Sequence, residues 1–321
     1  MFSEHQKASL IFAIILVWFI SLLSFVRSPT TFAQDHTAFI RRVRSIETDD
    51  LGIPNPAGLS FSIRANTLHV LAGVEPARPS VADIFLLTPT EDLAGYVDIA
   101  AEIKDPINMA FDNKANRLLI FRSAGKRLIE VMVGPDGNLN PSTLTAHKAH
   151  HFGLQNPQGM TVDPASGHLF ILDATGPRLV RVESDPDGGF DNALILQVDL
   201  GLTGLVNPRG LALEPTTGHF YFLSPIKQKL YELTLRGQVV ATRDLSELDI
   251  SGLQGMVFAP SGDLTDDPLE VSLYIADSGP GALQGQRTSL FEGGRIVELS
   301  LIQPVTHQPR VPAASVTQGS F

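Results

Sequence analysis

The sequence predicts an all-β fold, a β-propeller of five repeats that an N-terminal strand closes into a ring. Three observations lead to this prediction. A turn followed by an apolar run recurs about every 50 residues, the period of a radial or stacked repeat. Each repeat contains four short apolar runs separated by turns rich in Gly and Pro. No segment after residue 35 has the apolar periodicity of a helix of ordinary length.

The repeats begin at equivalent turns. These are NPAG at 55–58, DPIN at 105–108, NPQG at 156–159, NPRG at 207–210 and LQG at 253–255. In the third repeat the runs GMTVD, HLFILD, RLVRVES and ALILQVDL follow in turn, with PASG, ATGP and DPDGG between them. Four antiparallel strands per unit, repeated at a fixed period, are typical of a propeller blade.

Ring closure is predicted from the last repeat, in which three strands are visible. Residues 37–53 precede the first turn, where a fourth strand ends in every other repeat, so this segment is expected to complete the last blade. The C-terminal residues SVTQGSF leave open a sixth blade built from both termini. We therefore divide the chain into four parts: 1–33, the closing segment 34–54, the repeats 55–301 and a Pro-rich tail 302–321.

The N-terminal part predicts export. Residues 8–26 carry no charge and are expected to form one hydrophobic helix, and Thr31 and Ala33 have the spacing of a signal-peptidase site. A cleaved signal peptide and an uncleaved membrane anchor both remain open, because nineteen apolar residues also suffice to span a bilayer. Either way the repeats are expected outside the cytoplasm, and membrane contact is expected only through this segment.

Composition excludes several functions. A formal net charge of −10 without a basic cluster argues against nucleic-acid binding. The absence of cysteine excludes disulfides, thiolate metal sites and a cysteine nucleophile. The sequence also has no G-x-S-x-G elbow and no H-E-x-x-H motif.

The repeat resembles a known family. Asn/Asp-Pro-x-Gly, an apolar strand, a turn such as DPASGH and a second strand such as FILD are similar to the NHL-type repeat and its relatives among six-bladed, TolB-like propellers. The resemblance covers residues 55–301, with five visible repeats where that family commonly has six. It implies the architecture, but propellers of this group include enzymes, binding platforms and envelope proteins.

Candidate binding residues lie where the blades differ. Asp173 and Asp277 end the second strands of two repeats, and Arg122 occupies the same place in another. Capping of local turns also explains the two aspartates. Asn108 stands where the other repeats have glycine, so its side chain is expected at the mouth of the central channel. A variant of the turn is the alternative explanation.

Two long insertions predict a second recognition surface. They cover residues 73–83 and 278–294, in the first and last repeats, which adjoin if the ring closes. Their contact-capable side chains are Arg78, Arg287, Phe291 and Glu292.

The sequence offers one weak metal site. Asp263, Asp266 and Asp267 lie in one insertion and could hold calcium, although their spacing matches no known calcium loop. In gluconolactonase-like propellers, carboxylates and amides converge on a divalent cation in the channel, and here most inner strands begin with glycine instead. We therefore expect a non-catalytic scaffold without a cofactor, which binds a protein or a small molecule at one face. A metal-dependent propeller hydrolase or lactonase is the alternative.

Overall fold

The computed structural model describes residues 39–53, 55–72, 83–98, 106–122, 125–135, 137–185, 187–279 and 294–302. The hydrophobic segment 8–26, both chain ends and most of the two long insertions lie outside these residues. Within the described part of the chain, no helix is long and apolar enough to span a membrane.

The described residues are almost all strands and turns, with a few 3-10 turns. The strands are β1 (Phe39–Glu47), β2 (Pro56–Ser62), β3 (Thr67–Ala72), β4 (Asp83–Leu87), β5 (Leu93–Asp98), β6 (Pro106–Asp112), β7 (Arg117–Arg122), β8 (Arg127–Met132), β9 (Thr145–Lys148), β10 (Pro157–Val162), β11 (Leu169–Asp173), β12 (Arg178–Glu183), β13 (Leu194–Asp199), β14 (Arg209–Leu213), β15 (Phe220–Ser224), β16 (Lys229–Leu233), β17 (Val239–Asp244), β18 (Leu253–Pro260), β19 (Val271–Asp277) and β20 (Arg295–Ile302).

These strands form five antiparallel four-stranded sheets, which are the blades of a propeller. Blades 1 to 4 are β2–β5, β6–β9, β10–β13 and β14–β17, each in chain order. The innermost strands β2, β6, β10, β14 and β18 each contact the next, and β18 contacts β2 again, so the ring is closed. The predicted architecture is confirmed, with five blades rather than six.

The N-terminal strand completes the last blade, as predicted. Blade 5 has the order β18-β19-β20-β1, and β1 pairs with β20 from Phe39 opposite Ile302 to Glu47 opposite Arg295. Arg44 on β1 also pairs its Nε with Glu298 Oε2 at 2.6 Å. The last blade therefore holds both ends of the repeat array together, which removes two open sheet edges.

The core lies between the blades. The buried hydrophobic residues form five clusters, one for each pair of adjacent blades. In the cluster between blades 3 and 4, for example, Phe170 of β11 packs against Phe220 of β15 with ring centroids 4.8 Å apart. Because both faces of every blade are covered, the middle strands are apolar at nearly every position rather than at alternate ones, as in the fully buried β11.

Candidate functional site

A polar cavity lies at the mouth of the central channel, where the inner strands begin. Its volume is about 250 Å³, and each blade contributes the residue that follows Pro or Leu in its first turn. These five half-buried residues are Ala57, Ile107, Gln158, Arg209 and Gln254. A β-bulge interrupts the pairing of every inner strand at this level. Bulges re-aim side chains, which explains why one residue per blade lines the same cavity.

Glycine at the next position brings the inner strands together. A Cβ atom on Gly159 would come within 2.7 Å of the backbone of Gly210, and one on Gly255 within 2.7 Å of the carbonyl oxygen of Ala57. Real Cβ atoms do not approach backbone this closely, so the repeated glycine is required by the packing of adjacent blades. The ring is therefore tight directly beside the cavity.

Asn108 takes the place of glycine in blade 2 and lines the cavity, where the sequence placed it. Its side chain is only 4% exposed. Its Oδ1 accepts a hydrogen bond of 2.8 Å from the N–H of Met109, and its Nδ2 donates to the carbonyl oxygen of Gln158 at 3.5 Å. The amide thus links blades 2 and 3, and it helps to shape the wall of the cavity.

Arg209 is the charged residue of the described cavity lining. Its Nη1 donates to Gln158 Oε1 at 2.8 Å, and Gln158 Nε2 donates in turn to Asn156 Oδ1 at 2.6 Å. Burial lowers the pKa of the Arg209 guanidinium, which nevertheless stays charged because its ordinary pKa is so high. The sequence analysis did not single out Arg209, Gln158 or Gln254. The signal was available in the position of the repeated turn that varies most from blade to blade: Ala, Ile, Gln, Arg, Gln.

In two blades, an aspartate at the end of the second strand forms hydrogen bonds with the turn that precedes the inner strand. Asp173 accepts hydrogen bonds from the N–H groups of Gln155 and Asn156 and from Arg178. Burial disfavours its charge, but these bonds outweigh that effect and lower its pKa. Asp277 does the same in blade 5, where it accepts from the N–H of Gly252. Both carboxylates are fully buried, so their visible role is to position the turns.

Arg122 occupies the corresponding place in blade 2, at the end of β7, and is half-buried opposite Pro106. Ser224 occupies it in blade 4, where its Oγ donates to the carbonyl oxygen of Val206 at 3.0 Å. The described lining of the cavity includes neither residue. Ligand contact by Arg122 stays a prediction.

The second recognition surface falls on parts of the chain that are not described. Arg78 lies in residues 73–82, and Arg287, Phe291 and Glu292 lie in residues 280–293, all outside the described residues. Their proposed role therefore stays a prediction.

The three clustered aspartates do not converge. Asp263 Oδ1 accepts from Thr265, Asp266 Oδ2 accepts from Ser261 Oγ at 2.6 Å, and Asp267 Oδ1 accepts from the N–H of Leu269. Each carboxylate stabilises its own turn, as Asx turns do. Among all residues that the structure describes, no three His, Asp or Glu side chains are placed to hold one metal ion.

The opposite end of the channel is mainly apolar, with Ser60, Asn113 and Thr161 as polar lining residues. A smaller cavity of about 80 Å³ lies where the inner strands end, and its lining includes Phe61, Met160, Val162, Leu213 and Phe258. The two ends of the channel thus differ in chemistry, and the charged group, Arg209, is at the mouth where the inner strands begin.

The closed ring of five four-stranded sheets makes this protein a β-propeller. No family model matches the chain, and no curated protein matches its sequence. The solved structures that are similar to this chain include the nidogen/laminin complex. That chain is 15% identical with a TM-score of 0.45, and the match covers 77% of this chain and 86% of that one. The PQQ-bound aldose sugar dehydrogenase of Streptomyces coelicolor is 12% identical with a TM-score of 0.47, and the match covers 83% of this chain and 99% of that one. The calcium-binding protein regucalcin of Agrobacterium tumefaciens is 14% identical with a TM-score of 0.46, and the match covers 78% of this chain and 92% of that one. These likenesses do not extend to function.

Proposed function

We propose that this protein is a non-catalytic β-propeller that binds a small molecule in the cavity at the channel mouth. One observation carries the proposal: all five blades direct a half-buried residue into the same polar cavity. Concave sites with a few convergent polar groups on a rigid scaffold are the usual form of a ligand site. The cavity, at about 250 Å³, is slightly smaller than pockets for drug-sized ligands, which favours a small metabolite.

A metal-dependent hydrolase is supported less well. The described lining of the cavity consists of amide, guanidinium, hydroxyl and apolar groups and includes no carboxylate. Calcium and magnesium require several oxygen ligands, usually carboxylates among them. We therefore expect that calcium, manganese and zinc leave the melting temperature of the purified protein unchanged. A saturable increase with one of these ions would favour the hydrolase instead.

The binding proposal is tested by blocking the cavity. Small-molecule ligands are first identified by the increase they cause in the melting temperature of the protein. Ala57→Phe fills the cavity with an aromatic ring, whereas Ile63→Phe makes a similar change at the opposite, apolar end of the channel. Ligands should lose binding to the first variant and keep binding to the second. Gln254→Phe is a second blocking variant if Ala57→Phe does not fold, and ligands that bind both blocked proteins unchanged would contradict the proposal.

We also propose that the propeller is exported, on the basis of residues 1–33. Cell fractionation followed by mass spectrometry of the intact protein tests this proposal. A chain beginning at Gln34 outside the cytoplasm supports a cleaved signal, and an uncleaved chain in the membrane fraction supports an anchor. A full-length chain in the cytoplasm would contradict both.

A further inference from the structure

We infer that the ligand of the channel-mouth cavity carries a compact anionic group, a carboxylate or a phosphate, which Arg209 binds. The inference rests on the proposed function and adds the chemical class of the ligand. It starts from a contrast between Arg209 and six other buried or half-buried arginines of the described chain.

Those arginines have carboxylate partners. The pairs are Arg44 with Glu298, Arg117 with Asp112, Arg178 with Asp173, Arg181 with Glu183, Arg243 with Glu232 and Arg295 with Asp277. Arg209 is also half-buried, yet its partner among the described residues is the neutral amide of Gln158. Burial without a counter-charge costs free energy, and an anion in the cavity would offset that cost.

The geometry leaves hydrogen-bond donors available. Gln158 occupies only the Nη1 of Arg209, and it is itself anchored to Asn156, so it fixes the orientation of the guanidinium. The remaining guanidinium N–H groups are not among the fully buried atoms that lack a partner, so they keep some exposure, and Arg209 lines the cavity. A guanidinium with two adjacent free N–H groups binds carboxylate or phosphate through two parallel hydrogen bonds.

Gln254 supplies a neutral donor to the same cavity. It lies in the next blade after Arg209 and is half-buried, and no hydrogen bond within the described residues engages its side-chain amide. Amide and guanidinium donors from adjacent blades can therefore share one anionic group.

The other side of the cavity is mainly apolar. Blades 1 and 2 contribute Ala57, Pro106 and Ile107, together with Asn108, whose amide is bonded to backbone groups. A ligand that satisfies both sides has an anionic head and an apolar body. The volume of about 250 Å³ equals the liquid volume of about eight water molecules, so the cavity can enclose roughly ten non-hydrogen atoms of a ligand.

Matched pairs of probes test this inference. Benzoate and hexanoate represent carboxylates, phenyl phosphate represents phosphates, and benzamide and hexanamide are the neutral counterparts. Binding to the purified protein is measured by calorimetry at low and high salt. We expect at least one anionic class to bind about tenfold more tightly than its neutral counterpart, with weaker binding at high salt. The class that binds distinguishes carboxylate from phosphate recognition.

Three variants identify the residue responsible. Arg209→Met removes the charge while keeping much of the side-chain volume. Arg209→Lys keeps the charge but loses the planar pair of N–H donors. Arg236→Met is the control, since it removes an exposed arginine from a distant turn. Affinity for the anionic probe should fall about tenfold in Arg209→Met, by less in Arg209→Lys, and not at all in Arg236→Met. If Arg209→Met does not fold, the salt dependence and the preference of the unmodified protein for anions still decide the question.

The outcomes separate the inference from the function it rests on. Neutral probes that bind as well as anions, and that Ala57→Phe excludes, would overturn the anionic class and leave the channel-mouth site intact. Anionic probes that bind Ala57→Phe and Arg209→Met unchanged would overturn both. Failure of every anionic probe to bind at millimolar concentration would also overturn the inference.

Discussion

Gly159 shows at the level of one residue how closely the blades pack. A Cβ atom at this position would lie 2.7 Å from the backbone of Gly210 and Leu211, neither of which can move without shifting the next blade. Gly159→Ala should therefore lower the free energy of unfolding by about 3 kcal/mol, the cost of overpacking a rigid site. Denaturant titration measures the change.

Gly95→Ala is the matched control, because a Cβ atom there meets only the side chain of Leu86, at 3.4 Å. This variant should be close to the unmodified protein in stability. Equal stability losses in the two variants would show that the inner strands are not in close contact at Gly159.

We expect the stability of the protein to depend on pH because of His69. Its side chain is buried beside Phe111, and burial lowers its pKa from 6.5 to about 4. Between these values the unfolded chain binds a proton that the folded protein does not bind, so stability is full above pH 6.5 and falls as the pH decreases towards 4. The loss from this residue should be roughly 3 kcal/mol.

Comparison with His69→Gln isolates this contribution, because the other titrating groups are the same in both proteins. Free energies of unfolding measured from pH 7.5 to pH 4 should converge as the pH falls. A constant difference between the two proteins over this range would mean that His69 titrates normally in the folded state.

Single residues also mark the limit of prediction from sequence. Asn55 and Asn207 precede proline in their turns, and the structure shows both in the left-handed region, with φ of 46° and 43°. Asn tolerates that region better than most residues, which is a backbone reason for its recurrence. Arg209 was not recognised as a cavity residue because its exposure to the channel depends on a bulge, which leaves no periodic signal in the sequence, and only the variation at its position in the turn marks it.

Strands and their order were far more predictable, because each strand carries its own pattern. All four runs quoted for the third repeat are strands: β10, β11, β12 and β13. Turns rich in Gly and Pro marked their ends, and the short turn lengths permitted only antiparallel neighbours. The closing strand β1 was predictable for another reason, since the last repeat lacked one strand and residues 37–53 lie where a fourth strand ends in every other repeat.

The closing strand supports a prediction at this scale. A chain beginning at residue 49 lacks β1, which exposes the edge of β20, removes the buried Ile46 and leaves the fully buried Glu298 without Arg44. An unpaired edge and an unpaired buried charge are both strongly destabilising. We expect this chain to aggregate, whereas a chain beginning at residue 37 should be soluble and monomeric by light scattering.

Addition of a synthetic peptide of residues 37–48 provides the matching rescue. The peptide should restore solubility to the shorter chain by pairing with β20, and the same residues in scrambled order should not. A shorter chain that is soluble and equally stable without the peptide would show that β1 does not close the ring.

The number of blades is a property of the whole molecule, and the sequence could not decide it. The last repeat lacks the Asn-Pro turn, and both termini offered segments for another blade, so counting repeats allowed five or six. The decision depends on contacts between residues far apart in sequence. Ser278 Oγ donates to the carbonyl oxygen of Pro56 at 2.7 Å, and Gly255 lies against the backbone of Ala57 and Gly58, which joins blade 5 directly to blade 1.

A closed ring should tolerate a new opening but not the loss of a blade. Phe39 and Ile302 are paired neighbours, so a short turn can join them, and Leu202 is fully exposed in the connection between blades 3 and 4. A circular permutant that begins at Thr203 and ends at Leu202 keeps all five blade interfaces. It should fold with the β-rich circular dichroism spectrum of the parent, because exposed loop tips accept new termini.

Excision of residues 156–206 removes blade 3 and exposes one apolar face on each of its neighbours, so that chain should aggregate or unfold. A four-bladed chain that is as soluble and cooperative as the permutant would mean that the blades are stable without the ring.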